Sequence, residues 1–209
     1  MRDADVRNAL HALLRVEHEH EWTTTRIFNE LSLCGEVRVD VAVLNGRLAG
    51  YELKSARDTL KRLPTQVSVY SRVLDEATLV VAERHFPRAL AMVPEWWGVV
   101  VAWTDGDGLR LEHMRAALHN PTVDTDSVVR LLWRDEVLDE LVRRGLGRGA
   151  RSKTRSVLAR SLVAALSGDE VRAIVRDRMK QRGTWRAAPS PRRDDGTFPV
   201  SATRSDFLH

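Results

Sequence analysis

The chain has 209 residues, of which 43% are hydrophobic, so it is long enough for one domain of ordinary size with an appendage. None of its apolar runs approaches the roughly 20 residues of a membrane-spanning helix, and its amphipathic N-terminus contains acids, unlike a signal or transit peptide. Cys34 is the single cysteine, which excludes an intrachain disulfide and a cysteine-based metal site and fits the reducing cytoplasm. We therefore expect a cytoplasmic protein and, from the lack of long apolar runs, no membrane partner.

The net charge of +4 is distributed unevenly along the chain. Residues 141–190 contain 13 Arg or Lys and 3 Asp or Glu, whereas the rest of the chain contains 20 basic and 26 acidic residues. Such an excess is typical of a region that meets a polyanion, but solvated Arg-rich helices give the same count. Both interpretations stay open at this point.

The N-terminal segment is predicted to be a helix from about Asp3 to Val16, because its apolar residues recur every three or four positions. A β-prone segment follows, and we expect a short strand near Arg26 to Leu31.

The segment from Arg38 to Lys54 predicts a β-hairpin with its turn at Asn45-Gly46. The first strand carries Asp40, and the second carries Glu52 two residues before Lys54. Since side chains alternate along a strand, Glu52 and Lys54 share one face. Charges in such apolar surroundings either pair with each other or take part in chemistry.

The register of this hairpin decides whether Asp40 can join the other two charges. A two-residue loop at Asn45-Gly46 would place Asp40 and Glu52 on opposite faces of the sheet. A three-residue loop with Gly46 in the left-handed conformation, or a bulge near Asp40, would shift the pairing by one residue and bring them together. We predict one of these irregularities.

The segment after the hairpin predicts a helix that continues to about Leu74, with Pro64 in its first turn and a short helical piece, capped by Asp58, before it. Gln66 and Tyr70 are four residues apart and so lie on one face of this helix.

The remaining elements predict an α/β layer followed by helices. Buried strands are expected at residues 77–82 and 97–103, with a helix at 83–93 between them and a small edge strand at 109–111. Three helices are expected at 126–144, 152–166 and about 169–181. Two basic helices joined by a tight turn fit a helix-turn-helix or any small helical appendage. We therefore divide the chain into a core at 1–120, a basic helical region at 121–186 and a flexible tail at 187–209.

The chemistry of the hairpin favours a metal-assisted hydrolase. Two carboxylates on adjacent strands, Asp40 and Glu52, can hold Mg²⁺ through oxygen, and the backbone carbonyl of Leu53 can add a ligand. Lys54 beside them can orient or deprotonate a water molecule. Such an arrangement suits hydrolysis of a phosphodiester.

These residues resemble the PD-(D/E)XK nuclease superfamily, whose motif is similar to Asp40 followed after a hairpin by Glu52-Leu53-Lys54, with Val39 here in place of the motif's Pro. The pair Gln66-x-x-x-Tyr70 resembles the QxxxY element of the RecB-like and lambda-exonuclease-like branch. Residues 50–66 are also similar to a bacterial family of small, largely uncharacterised members of that superfamily. The resemblance covers about residues 20–135.

The resemblance implies a restriction-endonuclease-like α/β core, in which helices flank a mixed sheet, with a C-terminal all-helical appendage. Asp40 and Glu52 would hold Mg²⁺ or Mn²⁺, and Lys54 would be the catalytic base or would position the water. Gln66 and Tyr70 would place the substrate or shape the site.

Three further residues are candidates for this site. A preceding acid often joins the metal in the superfamily, and Glu30 is the first candidate and Glu17 the second. Arg38 lies two residues before Asp40 and could bind phosphate or pair with Glu52.

The expected function is thus metal-dependent hydrolysis of DNA. The alternative is a non-catalytic module that keeps the fold to bind nucleic acid or a protein. The sequence contains no Gly-rich phosphate loop, so we expect no nucleotide cofactor. Strandedness, the mode of cleavage and the oligomeric state stay open.

Overall fold

A computed structural model describes residues 1–106 and 108–182. The described residues form six strands, which are β1 (Arg26–Leu33), β2 (Val37–Asn45), β3 (Arg47–Lys54), β4 (Glu76–Ala82), β5 (Gly98–Asp105) and β6 (Gly108–Arg115). Their α-helices are α1 (Asp3–Glu17), α2 (Leu63–Val73), α3 (Phe86–Leu90), α4 (Thr125–Val128), α5 (Arg134–Arg143), α6 (Arg155–Ala165) and α7 (Gly168–Gln181). The tail predicted at 187–209 lies outside these residues.

The strands form one mixed sheet in the order of the sequence. The inner pairs β3–β4 and β4–β5 are parallel, whereas β1–β2, β2–β3 and β5–β6 are antiparallel. Strand β4 is a nearly continuous apolar run because both faces of the sheet are covered at its centre. The expected mixed sheet is confirmed.

Helices cover both faces of the sheet. On one face, α1 packs its apolar stripe of Val6, Leu10 and Leu14 against side chains of the central strands. On the other face, α2 and the C-terminal helices share a single larger core with the sheet. The predicted α/β class, with helices flanking a mixed sheet and a helical C-terminal region, is confirmed.

The C-terminal helices are joined to the sheet layer by buried contacts. Val128, Leu132, Leu162 and Val175 belong to the same core as Tyr70 of α2. The chain therefore changes from sheet to helices near residue 120, while the core continues across that point.

Several predicted element boundaries are wrong. The helix expected at 126–144 is interrupted after the 3-10 turn Val129–Leu131, because Leu132 is extended and the Glu136 carboxylate caps the N–H of Trp133 at 2.7 Å, which starts a new helix. The helix expected at 83–93 is a 3-10 turn, Glu83–His85, followed by the short α3. Pro87 in the first turn of α3 explains this start, since proline lacks the N–H of a helix interior.

Two other boundaries also differ from the prediction. The residues before α2 form turns and no helix, although Pro64 does lie in the first turn of α2 as predicted. The edge strand β6 has eight residues, far more than the three expected. Its charged and exposed side chains hide the strand pattern in the sequence.

In the described part of the chain, no helix combines the length and apolarity that crossing a bilayer requires.

The hairpin of β2 and β3 has the register that a shared site needs. Leu44 pairs with Leu48, as in a three-residue loop, and Gly46 at the apex has φ +72°. By this register Asp40 comes opposite Glu52. The predicted irregularity is confirmed.

The conformation of Gly46 gives a direct test of this turn. We expect Gly46→Ala to lower the free energy of unfolding by about 1 kcal/mol, since a Cβ in the left-handed region is strained even where space is open. Urea unfolding would measure the change. Gly106→Ala is the matched control, because Gly106 also has open space around it and no positive φ is recorded there. An equal loss in both variants would contradict the account of the turn.

Candidate active site

The site begins where β2 separates from β3. Hydrogen-bonded pairing of the two strands ends at Val41 and Tyr51. One residue further, the carboxylate of Asp40 accepts the backbone N–H of Leu53 at 2.8 Å, in the place of a backbone carbonyl. Since N–H and C=O of one residue in a strand point to the same edge, the Leu53 carbonyl also faces this opening.

A reversal of side-chain direction accompanies the opening. In β2, Val39 and Ala42 belong to the same core although they are three residues apart, and regular alternation would put them on opposite faces. Strand β1 shows the same reversal around Glu30, which lies opposite Asp40 and has φ +56°. Glu30 and Asp40 are thereby directed toward the end of β3.

Glu52 lies at the centre of a closed polar network. Its Oε1 accepts hydrogen bonds from Lys54 Nζ and Gln66 Nε2, both at 2.5 Å, and its Oε2 accepts one from the Tyr70 hydroxyl. Lys54 Nζ also donates to Gln66 Oε1 at 3.0 Å. Glu52 and Lys54 are 1% and 4% exposed, so this is a buried ion pair with additional donors.

Helix α2 places its two polar residues as the four-residue spacing predicts. Gln66 and Tyr70 both reach Glu52 from the same side of the helix. The Tyr70 ring stacks on Trp97 with centroids 5.5 Å apart and planes 13° apart. Burial, followed by the negative charge of Glu52, raises the pKa of Tyr70 well above its ordinary value, so the phenol stays neutral and acts as a donor.

A cavity of about 630 Å³ opens onto this network. Most of the predicted site residues line it, namely Glu30, Arg38, Asp40, Glu52, Leu53, Lys54 and Gln66. Glu30 lies at the cavity wall, where Arg38 Nε approaches its carboxylate at 3.4 Å. Arg38 therefore pairs with Glu30 and not with Glu52, and its side chain is 68% exposed.

Two other candidate acids have different environments from those predicted. Glu17 does not line the cavity, because it ends α1 and its carboxylate lies 3.4 Å from His113 Nε2. Asp58 caps a turn, since it accepts the N–H of Ser55 at 2.8 Å, and no helix begins there. Asp58 nevertheless lines the cavity.

Arg7 of α1 is a member of the site that sequence reasoning missed. Its guanidinium donates to the backbone carbonyl of Asp40 at 2.7 Å and to Glu30 at 3.1 Å, and it lies 3.5 Å from the Asp40 carboxylate. Asp3, one turn earlier, also approaches it at 3.4 Å. The sequence feature that could have pointed to Arg7 is its position next to Val6, at the edge of the apolar stripe that α1 buries.

The carboxyl group of Asp40 has a shifted ionisation equilibrium. Burial and, to a smaller extent, the negative charge of Glu52 raise the pKa of Asp40 to about 7. The Leu53 N–H and the charges of Arg7 and Lys54 oppose this rise without cancelling it. A cation bound nearby would favour the ionised form of Asp40 and so lower this pKa again.

The donor set fits a divalent cation in part. Asp40 and Glu52 supply two carboxylates, and a carboxylate offers about four lone-pair positions, so each retains acceptor capacity beyond the contacts above. Among residues 1–106 and 108–182, no group of three or more His, Cys, Asp or Glu side chains has an arrangement that could hold a metal. Mg²⁺ or Mn²⁺ here would thus take further ligands from the Leu53 carbonyl and from water, as Mg²⁺ commonly does.

Comparison with known proteins identifies a phage family. The family described as bacteriophage P4 protein cII matches residues 2–188, so the chain belongs to that family. Protein cII of Enterobacteria phage P4 is 26% identical over 121 residues, which make up 57% of this chain and 46% of that protein. The chain therefore matches less than half the length of this relative.

A solved structure, the SPO1766 protein of unknown function from Silicibacter pomeroyi, is similar over 47% of this chain and 63% of its own, with 22% identity and a TM-score of 0.36. This similarity is too weak to carry an argument about the fold. None of these descriptions names an activity, so the resemblance to the nuclease superfamily stays a prediction.

The raised pKa of Asp40 predicts a pH dependence of stability in metal-free buffer. The pKa of an Asp in the unfolded chain is about 4, whereas the pKa of Asp40 in the folded protein is raised to about 7. Between these values the folded state binds more protons, so the free energy of unfolding should fall as the pH rises. Asp40→Asn should remove this fall, which urea unfolding at several pH values would measure. Asp135→Asn, at a side chain that is 87% exposed, is the control and should show the same fall as the wild type. If Asp40→Asn also showed the wild-type fall, the raised pKa of Asp40 would be contradicted.

The buried ion pair predicts strong coupling between its members. Glu52→Gln or Lys54→Met alone should each destabilise the protein by about 3 kcal/mol, because each leaves a buried charge without its counter-charge. The double variant should lose clearly less than the sum in urea unfolding. The surface pair of Asp169, which is 86% exposed, and the half-buried Arg172, varied to Asn and Met, should show coupling below about 1 kcal/mol. Additive losses at Glu52 and Lys54 would contradict the network.

Proposed function

We propose that this protein is a Mg²⁺- or Mn²⁺-dependent nuclease of the cytoplasm that hydrolyses phosphodiester bonds in DNA and has a PD-(D/E)XK, restriction-endonuclease-like core. The observation that supports this most is the convergence of Asp40, Glu52 and Lys54 on one cavity, where β2 opens away from β3. Two carboxylates with an adjacent ammonium group are the components that metal-assisted phosphodiester hydrolysis requires.

The charge of the cavity supports a metal-dependent reaction. The described residues that line it carry six carboxylates against four basic side chains. The acids are Asp3, Glu30, Glu36, Asp40, Glu52 and Asp58, and the bases are Arg7, Arg38, Lys54 and Arg62. A bound cation would offset this excess and so reduce the repulsion of a polyanionic substrate.

The residues of the site have different roles in the proposed reaction. Asp40 and Glu52 would hold the ion, which when bound acts as a Lewis acid and lowers the pKa of its water. Gln66 and Tyr70 fix the orientation of Glu52. Arg7 binds the carbonyl of Asp40 and so stabilises β2 at the opening.

Lys54 is suited to positioning the attacking water. An ammonium group has three N–H donors, and Glu52 and Gln66 accept from two of them. One donor therefore remains for a water molecule or a phosphate oxygen. Because Lys54 acts as a donor to both neighbours, we favour water positioning over the role of general base.

A non-catalytic module that binds nucleic acid or protein is the second candidate. The mutual satisfaction of Glu52 and Lys54 favours it, since a structural ion pair would have the same contacts. Such a module would bind its partner and leave DNA intact under all metal conditions.

A cleavage assay distinguishes the two candidates. The wild-type chain should cut linear, circular or single-stranded DNA with Mg²⁺ or Mn²⁺ and lose activity in EDTA. Asp40→Asn and Lys54→Met should each lower the rate at least about 100-fold, the usual effect of removing an essential catalytic group. Asp135→Asn and Lys153→Met are the matched controls, because neither residue lines the cavity.

Two results would contradict the nuclease. One is the absence of metal-dependent cleavage on every substrate, which would favour the binding module. The other is undiminished cleavage by both site variants.

A further inference from the structure

Most of the positive charge in the C-terminal helices is used within the protein. Of the 13 basic residues between 141 and 190, at least seven direct their guanidinium groups to protein acceptors. These are Arg143, Arg144, Arg155, Arg172, Arg176, Arg178 and Arg182. The charge count of this region therefore overstates what it offers to a polyanion.

The buried carboxylate of Glu140 illustrates this internal use. It accepts from Arg178 at 2.6 Å and also pairs with Arg143 and Arg144, and its side chain is 7% exposed. Arg178 thereby attaches α7 to α5, whereas Arg143 and Arg144 offset the charge of Glu140 from the end of its own helix. Loss of any of them to a ligand would leave a buried negative charge less well compensated.

The loop between β3 and α2, residues 55–62, has the opposite character. Arg57, Lys61 and Arg62 are exposed, and none of them forms an ion pair with another described residue. Arg62 lines the cavity directly, and the loop connects Lys54 to the helix that carries Gln66. The loop thus carries three exposed cations without an ion-pair partner among the described residues, and one of them, Arg62, borders the acidic cavity.

We propose that this loop, named here the β3–α2 loop, is the main contact for the sugar-phosphate backbone of a nucleic acid. Arg57, Lys61 and Arg62 bind phosphates beside the one held over Asp40 and Glu52. The basic C-terminal region serves chiefly to hold its own helices together. This inference rests on the proposed function for its substrate class and adds the surface by which that substrate is bound.

The arrangement also accounts for substrate approach to a cavity with excess negative charge. Phosphates attract exposed Arg and Lys side chains, and each contact releases condensed counterions. The cations of the β3–α2 loop hold the backbone, while Asp40 and Glu52 are left for the metal ion.

Salt-dependent binding of DNA to the full chain tests this proposal. The probe is a fluorescein-labelled 30-base-pair duplex, with the matching single strand as a second probe, in EDTA so that no cleavage occurs. One triple variant carries Arg57→Gln, Lys61→Gln and Arg62→Gln. The control triple variant, Arg148→Gln, Arg151→Gln and Lys153→Gln, removes the same residue types from an exposed loop that does not line the cavity.

We expect the β3–α2 loop variant to raise the Kd at least about 10-fold at moderate salt. The slope of log K against log salt should become shallower by about 2 to 3, since each lost phosphate contact removes about 0.9. The control variant should change the Kd less than about threefold, and circular dichroism should show both variants folded. An equal or larger loss in the control, or no binding by the wild type, would overturn the proposal.

Cleavage kinetics separate this inference from the proposed function. If the nuclease is active, the β3–α2 loop variant should raise KM with little change in kcat, as expected for lost uniform binding. A wild-type chain that shows the predicted binding contrast without cleavage would contradict the nuclease and leave the binding surface supported. Cleavage with equal KM in both triple variants would support the nuclease and overturn the binding surface.

Discussion

The burial of Glu52 is the constraint on which the rest of the site depends. A carboxylate inside a sheet is costly unless donors replace the water that it loses. Here the donors come from Lys54 on the same strand and from Gln66 and Tyr70 on the next helix. Satisfying Glu52 therefore fixes α2 against β3, and the stacking of Tyr70 on Trp97 anchors the same contact in the apolar core. The polar network and the core hold each other in place.

Features with a local cause were predictable from the sequence. Alternation along β3 put Glu52 and Lys54 on one face, and the spacing of Gln66 and Tyr70 put both on one side of α2. The turn that brings Asp40 opposite Glu52 was one of the two irregularities expected, and Gly46 is the residue that permits it. In each case the cause lies within a few residues of its effect.

Features that depend on tertiary contacts were not predictable. The reversal of side-chain direction in β1 requires a positive φ at Glu30, and the sequence has no glycine there to indicate it. Arg7 contacts Glu30 and Asp40 across 23 and 33 positions of sequence, and its helical pattern indicates only which face is buried. The partners of the C-terminal arginines were hidden for the same reason, because a charge count does not reveal that Glu140 lies among them.

The central claim is that Asp40 and Glu52 hold a divalent cation beside Lys54, and crystals soaked in Mn²⁺ test it most directly. Anomalous diffraction should show a manganese peak between the two carboxylates, about 2 Å from an oxygen of each, and no peak there in Asp40→Asn crystals. No peak at this position in the wild type, or one bound only elsewhere on the protein, would contradict the account.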